Sequence, residues 1–262
     1  MTEADPRPEG SPATAPPGFP ELRTVDARAP WRWLAAGWQD LRAAPGPSLF
    51  YGIVLAAMGF LLTHSPGKGA VELAFLTGFL IVGPFLLMGL YDISRRLRRG
   101  ERVMLGPTLA AWKANAPAIG FYALILALLL AVWIRISIVV VALFFEGNAP
   151  SVEALAKSAL DSPDTLAFVA VYAAAGAGFA LLVFATSAVS LPLLLDRPQT
   201  DTVTAMITSF NAVRRSFGPM LLWAAIVVAL TAAGFATFYL GLVVALPLVG
   251  HATWHAYRDV VA

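Results

Sequence analysis

The chain has 262 residues, of which 58% are hydrophobic and 13% charged, about half the charge of an ordinary soluble domain. A net charge of +2 is too small to suggest a nucleic-acid partner. The absence of cysteine excludes disulfides, thiolate metal sites, iron–sulfur clusters and cysteine nucleophiles.

Residues 1–30 hold seven prolines and several acidic residues, with no apolar core of a secretory signal. They read as a disordered cytoplasmic tail ahead of a membrane domain over residues 31–262. The first apolar run, Leu49–Thr63, is short for a span, which takes about 20 residues. The second, Leu73–Tyr91, stops at Asp92 and the basic block Arg95, Arg96, Arg98, Arg99 and Arg102. The third, Ala114–Ile134, continues past Arg135 to Phe145, and a polar segment, Glu146–Asp164, follows. The fourth, Thr165–Leu195, ends at Asp196. The last stretch, Ser216–Tyr257, has no Asp, Glu, Lys or Arg in 42 residues. As one helix it would reach ~63 Å, twice the bilayer core, so it must fold back, near Gly234–Tyr239. The fold class is all-α, with six transmembrane helices.

The gaps between runs alternate in charge. One set holds 15 basic residues, the other only Lys68 and Lys157. Positive charge stays inside, so both termini are expected to be cytoplasmic. An internal repeat lies over this. Trp31, Leu34, Trp38 and Leu41 precede Gly46-Pro47, and Val203, Met206, Ile207, Phe210 and Val213 precede Gly218-Pro219. Trp38 to Pro47 and Phe210 to Pro219 are both nine residues, with Arg42 and Arg214 at one offset. Leu105, Leu109 and Trp112 before Ala116-Pro117 match more loosely. Such spacing puts apolar residues on one helix face. The expected architecture is three αα-hairpins, each preceded by an amphipathic helix lying in the cytoplasmic interface. Each second helix carries a proline expected to kink it: Pro84, Pro192 and Pro247. Gly52, Ala56, Gly59, Gly78, Gly83, Gly176 and Gly178 would permit close helix approach.

Few residues suggest chemistry. His251 and His255, four apart, share a helix face and can in principle hold a metal or haem, but no third ligand is identifiable. The plainer reading is a helix end, with Trp254 and Tyr257 in the aromatic belt and His255 and Arg258 near the terminal carbonyls. Arg135, the one basic residue inside a span, lies ~27 Å along its helix from Pro117. It can snorkel to the outer interface or pair with Glu146 or Glu72. Asp92, Asp196 and Asp259 each end a span and are expected to pair with neighbouring arginines. Thr186, Ser187 and Ser190 are expected to hydrogen-bond to carbonyls or across helices. Arg95, Arg96, Arg98, Arg99, Arg102, Arg214 and Arg215 are expected to contact the lipid surface. No catalytic array, phosphate loop or dinucleotide fingerprint is present.

Three segments, Pro84-Phe-Leu-Leu-Met-Gly-Leu-Tyr-Asp92, Ser190-Leu-Pro-Leu-Leu-Leu-Asp196 and Pro247-Leu-Val-Gly-His-Ala-Thr-Trp-His-Ala-Tyr-Arg-Asp259, resemble a bacterial family of integral membrane proteins of unknown function. The resemblance runs over residues 30–260 and is most specific in the last segment. Some members are labelled cytochrome c oxidase components, which implies a respiratory context but transfers no catalytic residue. His64 is the only further histidine, too few for a haem–copper oxidase core. The expectation is a non-enzymatic multi-pass protein without a required cofactor, acting by association with lipids, another membrane complex or itself. A small-solute transporter or channel is the alternative, and a haem- or metal-binding accessory protein the third reading.

Overall fold

A computed structural model describes residues 19–64, 86–145 and 162–262. Among these residues every regular element is a helix, apart from one isolated bridge between Leu22 and Val261. In chain order the helices are α1 (Ala29–Ala43), α2 (Pro45–His64), α3 (described over residues 86–98) and α4 (Leu105–Leu109). After a 3₁₀ turn (Ala111–Asn115) come α5 (Ala116–Phe145), α6 (Pro163–Ser187), α7 (Ser190–Asp196), α8 (Thr202–Arg215), α9 (Phe217–Ala236) and α10 (Leu242–Val260).

Local chemistry sets these limits. Pro30 sits in the first turn of α1 and Pro163 in that of α6, where a missing N–H costs nothing. Ser162 caps α6 and Asp201 caps α8, each accepting the N–H three residues on. The run expected as one fourth span is broken between α6 and α7. Pro192 has no N–H to offer the carbonyl of Ala188, and the ladder opens at Ala188–Val189. By contrast α10 runs through Pro247 unbroken, and Pro84 lies outside the described residues. The fold-back occurs at residues 237–241, beside the expected place, with Phe238 and Tyr239 at φ +52° and +67°.

Three helical units are long and apolar enough to cross a membrane: Ala111–Phe145, Pro163–Asp196 and Phe217–Ala236. A fourth is counted if α1 and α2, bent by 107° at Ala44, are taken together. Most of the second apolar run lies outside the described residues, and the second half of α10 carries His251, Thr253, His255, Arg258 and Asp259.

The core sits where α1, α9 and α10 meet α7 and α8. Trp33, Met88, Leu193, Leu194, Trp223, Trp254 and Tyr257 are all buried there. Trp33 meets Trp223 edge-on at 5.8 Å. Helix α1 lies across α10, α2 runs along α10, α5 pairs with α6, and α8 lies against α6 and α7. Glycine makes two of these approaches possible. A Cβ at Gly37 would lie 2.7 Å from the Ala252 backbone nitrogen, and one at Gly52 would strike the Val243 carbonyl oxygen. Gly178 has nothing within 4 Å.

The folded body begins before residue 31. The Arg23 N–H donates to the Val260 carbonyl and the Ala262 N–H to the Glu21 carbonyl, both at 2.9 Å. Leu22 and Val25 pack on the core. This part of the expected tail is therefore fixed against the C-terminus.

Candidate functional site: the polar end of the helix bundle

Among the described residues the buried polar groups, Thr165 apart, gather at one end. His251 of α10 has no exposed surface, and both its ring nitrogens face hydroxyls. Nε2 lies 2.9 Å from Ser48 Oγ of α2, and Nδ1 lies 2.8 Å from Ser94 Oγ of α3. A neutral imidazole offers one donor and one acceptor, and a serine hydroxyl can serve either. This triad ties three helices together without a buried charge. One turn on, His255 Nε2 lies 2.8 Å from Asp40 Oδ2 of α1. Both nitrogens of His251 and Nε2 of His255 are thus engaged by protein groups. Among the described residues no three His, Cys, Asp or Glu side chains gather as a metal cluster.

The three span-ending aspartates lie at the same end. Asp92, fully buried, accepts from Arg95 at 2.5 Å and Arg96 at 2.7 Å, the local pairing expected. Asp196 accepts instead from Tyr257 Oη at 2.8 Å and Arg258 at 3.1 Å, both on α10. Asp259 accepts from Trp33 Nε1 at 2.9 Å and lies 3.6 Å from Arg32, both on α1. Arg95 also donates to the Leu195 carbonyl at 3.1 Å. These contacts run in a chain: from the end of α3 to α7, from α7 to α10, and from α10 to α1.

Serine completes the contact of α8 with the broken helix. Ser209 Oγ donates to the Ala185 carbonyl at 2.8 Å and accepts the Val189 N–H at 3.3 Å. Ser190 Oγ donates to the Thr186 carbonyl at 2.7 Å. Thr186 and Ser187 also bond back to carbonyls of their own helix, as expected. The spacing that sets Trp38 opposite Phe210 sets Gly37 opposite Ser209. Gly37 packs on Leu248 and Ala252, while Ser209 bonds to Ala185 and Val189. One offset carries Ala185 to Leu248, Val189 to Ala252 and Asp196 to Asp259. The prolines do not keep it: Pro192 falls opposite His255, and Pro247 opposite Phe184.

The remaining expected residues divide. Trp254 and Tyr257 are core residues, not an aromatic belt, because α1 and its lead-in cover that face of α10. Trp254 Nε1 has no hydrogen-bond partner among the described residues. Arg95 and Arg96 are only 17% and 25% exposed and are held by Asp92, so they are not free surface groups. Arg98, Arg99, Arg102, Arg214 and Arg215 are exposed. Arg135 lies on the exposed face of α5 with Val132, Ile138 and Val139. Its suggested partners Glu72 and Glu146 lie outside the described residues. Sequence reasoning missed Trp33, Asp40, Ser48, Ser94 and Ser209. For Asp40, Ser48, Ser94 and Ser209 the one signal was a small polar residue inside an apolar or amphipathic helix, and Trp33 gave none.

Beside this end, a groove of about 480 Å³ separates the start of α5 from the α7–α8 connection. Asn115, Pro117, Phe121, Thr200, Asp201 and Val203 help to line it. Asn115 Nδ2 donates to the Thr200 carbonyl at 2.9 Å, and Thr202 Oγ1 to the Ala118 carbonyl at 2.7 Å, which fixes the two walls.

Residues 72–196 match the family described as "Predicted integral membrane protein (DUF2189)". The match takes in the segments at 84–92 and 190–196 and stops short of 247–259. No curated protein and no solved structure matches the chain. The family match and the long apolar helices identify an integral membrane protein of unknown function.

Proposed function

We propose that this integral membrane protein is a non-enzymatic, six-span protein of a bacterial inner membrane that acts by association with its lipid surface. The carrying observation is the outward face of its two amphipathic helices. On α1, Trp31 is 58% and Trp38 44% exposed, while Trp33, Gly37 and Leu41 face the core. On α8, Val203, Ile207 and Phe210 are exposed, while Ala205, Thr208, Ser209 and Ala212 face inward. Each helix thus has a packed face and an apolar face left outside. Arginines follow at its C-terminal end: Arg42 on α1, Arg214 and Arg215 on α8. An apolar stripe with arginine at its margin suits a bilayer interface, where the side chains enter the acyl boundary and guanidinium groups meet phosphates.

The spans follow from the same end. Leu22 pairs with Val261, so an even number of crossings separates them. Helix α2 leaves this end at Ser48, and its Phe60 meets Tyr239 of the distal turn at 5.7 Å. The apolar run that follows is the crossing back, since Asp92 and Ser94 lie at the first end again, with Ser94 on His251. With α5, α6–α7, α9 and α10, this makes six. The shared offsets around Gly37 and Ser209 support repeated hairpins. A solute path has less support, since α2 and α10 close on each other at Gly52 beyond the His251 triad.

The test is lipid retention by the full chain in vesicles with and without phosphatidylglycerol. Replacing Arg98, Arg99, Arg102, Arg214 and Arg215 by Gln should remove the preference for anionic lipid. A preference unchanged in that variant would overturn the reading. Arg95 and Arg96 are left alone because their loss would also break the Asp92 contact.

A further inference from the structure

The groove beside α5 has an unusual lining for the rim of a membrane protein. Ten residues line it, and Asp201 is the only charged one. Its mouth is apolar on both sides. Phe121 is 50% exposed and begins the outward stripe of α5 that continues through Leu124, Leu128 and Val132. Val203 is 53% exposed and begins the stripe of α8 that continues through Ile207 and Phe210. A ligand seated here therefore meets a carboxylate at one end and two lipid-facing surfaces at the other.

We propose that this groove binds a phospholipid whose headgroup carries a primary ammonium, the phosphatidylethanolamine type, with the ammonium on Asp201 and the acyl chains along Phe121 and Val203. Charge complementarity selects that headgroup. No Lys or Arg lines the groove to offset the phosphodiester that all these lipids share, so an ionised Asp201 repels a headgroup of net negative charge and suits one whose ammonium cancels it. Asp201 is held ionised by its own helix. The Thr204 hydroxyl donates to Oδ2 at 2.6 Å and the Thr204 N–H to Oδ1 at 2.9 Å. These bonds keep the carboxyl below the usual carboxylate range. A carboxylate has about four acceptor sites, more than Thr204 and the Val203 N–H fill, so an ammonium N–H can join them, and a charge-assisted bond of this kind is among the stronger single contacts. A primary ammonium donates such bonds, whereas the quaternary choline headgroup has no N–H to give. The proposal rests on the membrane reading above but not on its arginines.

The experiment is native mass spectrometry of the full chain from vesicles holding equal phosphatidylethanolamine, phosphatidylcholine and phosphatidylglycerol. The wild type should retain the ethanolamine lipid in preference to phosphatidylcholine, beside the phosphatidylglycerol that its arginines hold. Asp201→Asn keeps the helix cap, since Asn caps as well as Asp, but removes the charge. It should reduce that preference about tenfold, with helix content unchanged by circular dichroism. Ala118→Trp, which fills the groove, should do the same. An unchanged preference in Asp201→Asn would overturn the proposal. So would a preference lost only in Asp201→Ala, which would leave Asp201 a cap alone. Free ethanolamine at millimolar concentration should not displace the lipid, and displacement would mean a soluble-amine site instead. The arginine variant should keep the ethanolamine preference, which separates failure here from failure of the broader reading.

Discussion

Asp92 is fully buried, and both its oxygens are held by arginines that keep a foot in solvent. Replacing it by Ala leaves two guanidinium groups beside a buried gap. Breaking such a pair costs about 3 kcal/mol, near the lower end for buried pairs because Arg95 and Arg96 are partly exposed. Unfolding in detergent should show this loss, and an unchanged midpoint would mean water replaces the carboxylate freely. Gly52 makes a second residue-level prediction. Gly52→Ala should cost about 1–3 kcal/mol by overpacking against α10, whereas Gly178→Ala, with open space around it, should cost nothing measurable. Comparing the two midpoints separates helix contact from helix propensity. Both residues stood among the glycines expected at helix contacts, and only three-dimensional packing tells them apart. Asp92 and its arginines were legible because the partners are three and four residues away. The partners of Asp196 are 61 and 62 residues away, and no local pattern announces them.

At the scale of elements, α8 depends on its two ends and on the break it covers. Ser209→Ala would leave the Val189 N–H without its partner at the α6–α7 break, a cost of about 1–3 kcal/mol for a buried donor. Ser209→Gly, which copies the residue at the matching place on α1, should lose stability in the same way because it also lacks the hydroxyl. Equal stability of wild type and either variant, measured by denaturant unfolding, would show that the bond is not needed. The cap of α8 gives a pH prediction. The Asp201 carboxyl is lowered below its unfolded value by Thr204, so its contribution is fully present above the unfolded carboxylate pKa, about 3.9. It is lost as pH falls through the folded value. Stability attributable to Asp201, taken as the difference from Asp201→Asn, should therefore be flat from pH 8 to 5 and fall only under strong acid. A midpoint shift near neutrality would point to another group. The spacing grouped Leu41 with Trp31 and Trp38, and Val213 with Ile207 and Phe210, but Leu41 and Val213 turn into the core while the others face outward. Pro192 announced a kink, but not that the ladder would open four positions earlier, where Ser209 of α8 takes the Val189 N–H.

The whole molecule turns on how many times the chain crosses, and a cysteine-free sequence makes that directly measurable. Single cysteines can be introduced at Lys68, Arg102, Lys157, Arg215 and Ala262 without background. Six crossings put positions 68 and 157 on the outer side and positions 102, 215 and 262 on the inner side. A membrane-impermeant maleimide added to intact spheroplasts should then label only 68 and 157, and the other three should react after permeabilisation. Three crossings would place the two ends of the chain on opposite sides, against the bonds that join Glu21 and Arg23 to Ala262 and Val260. Four crossings by α5, α6–α7, α9 and α10 would leave position 68 on the inner side with 102, and four that count α1 and α2 as one span would put both outside, so labelling of 68 and 102 together decides between four and six. The charge asymmetry argues for six because a single lysine at 68 faces five arginines between 95 and 102 across one apolar run. Packing argues the same way from different residues: Ser48 bonds to His251 at one end of α2, while Phe60 and His64 meet Tyr239 at the other. A helix anchored at both ends of the bundle has the full thickness of that bundle to cross, so a labelled position 68 in intact spheroplasts is the expected result.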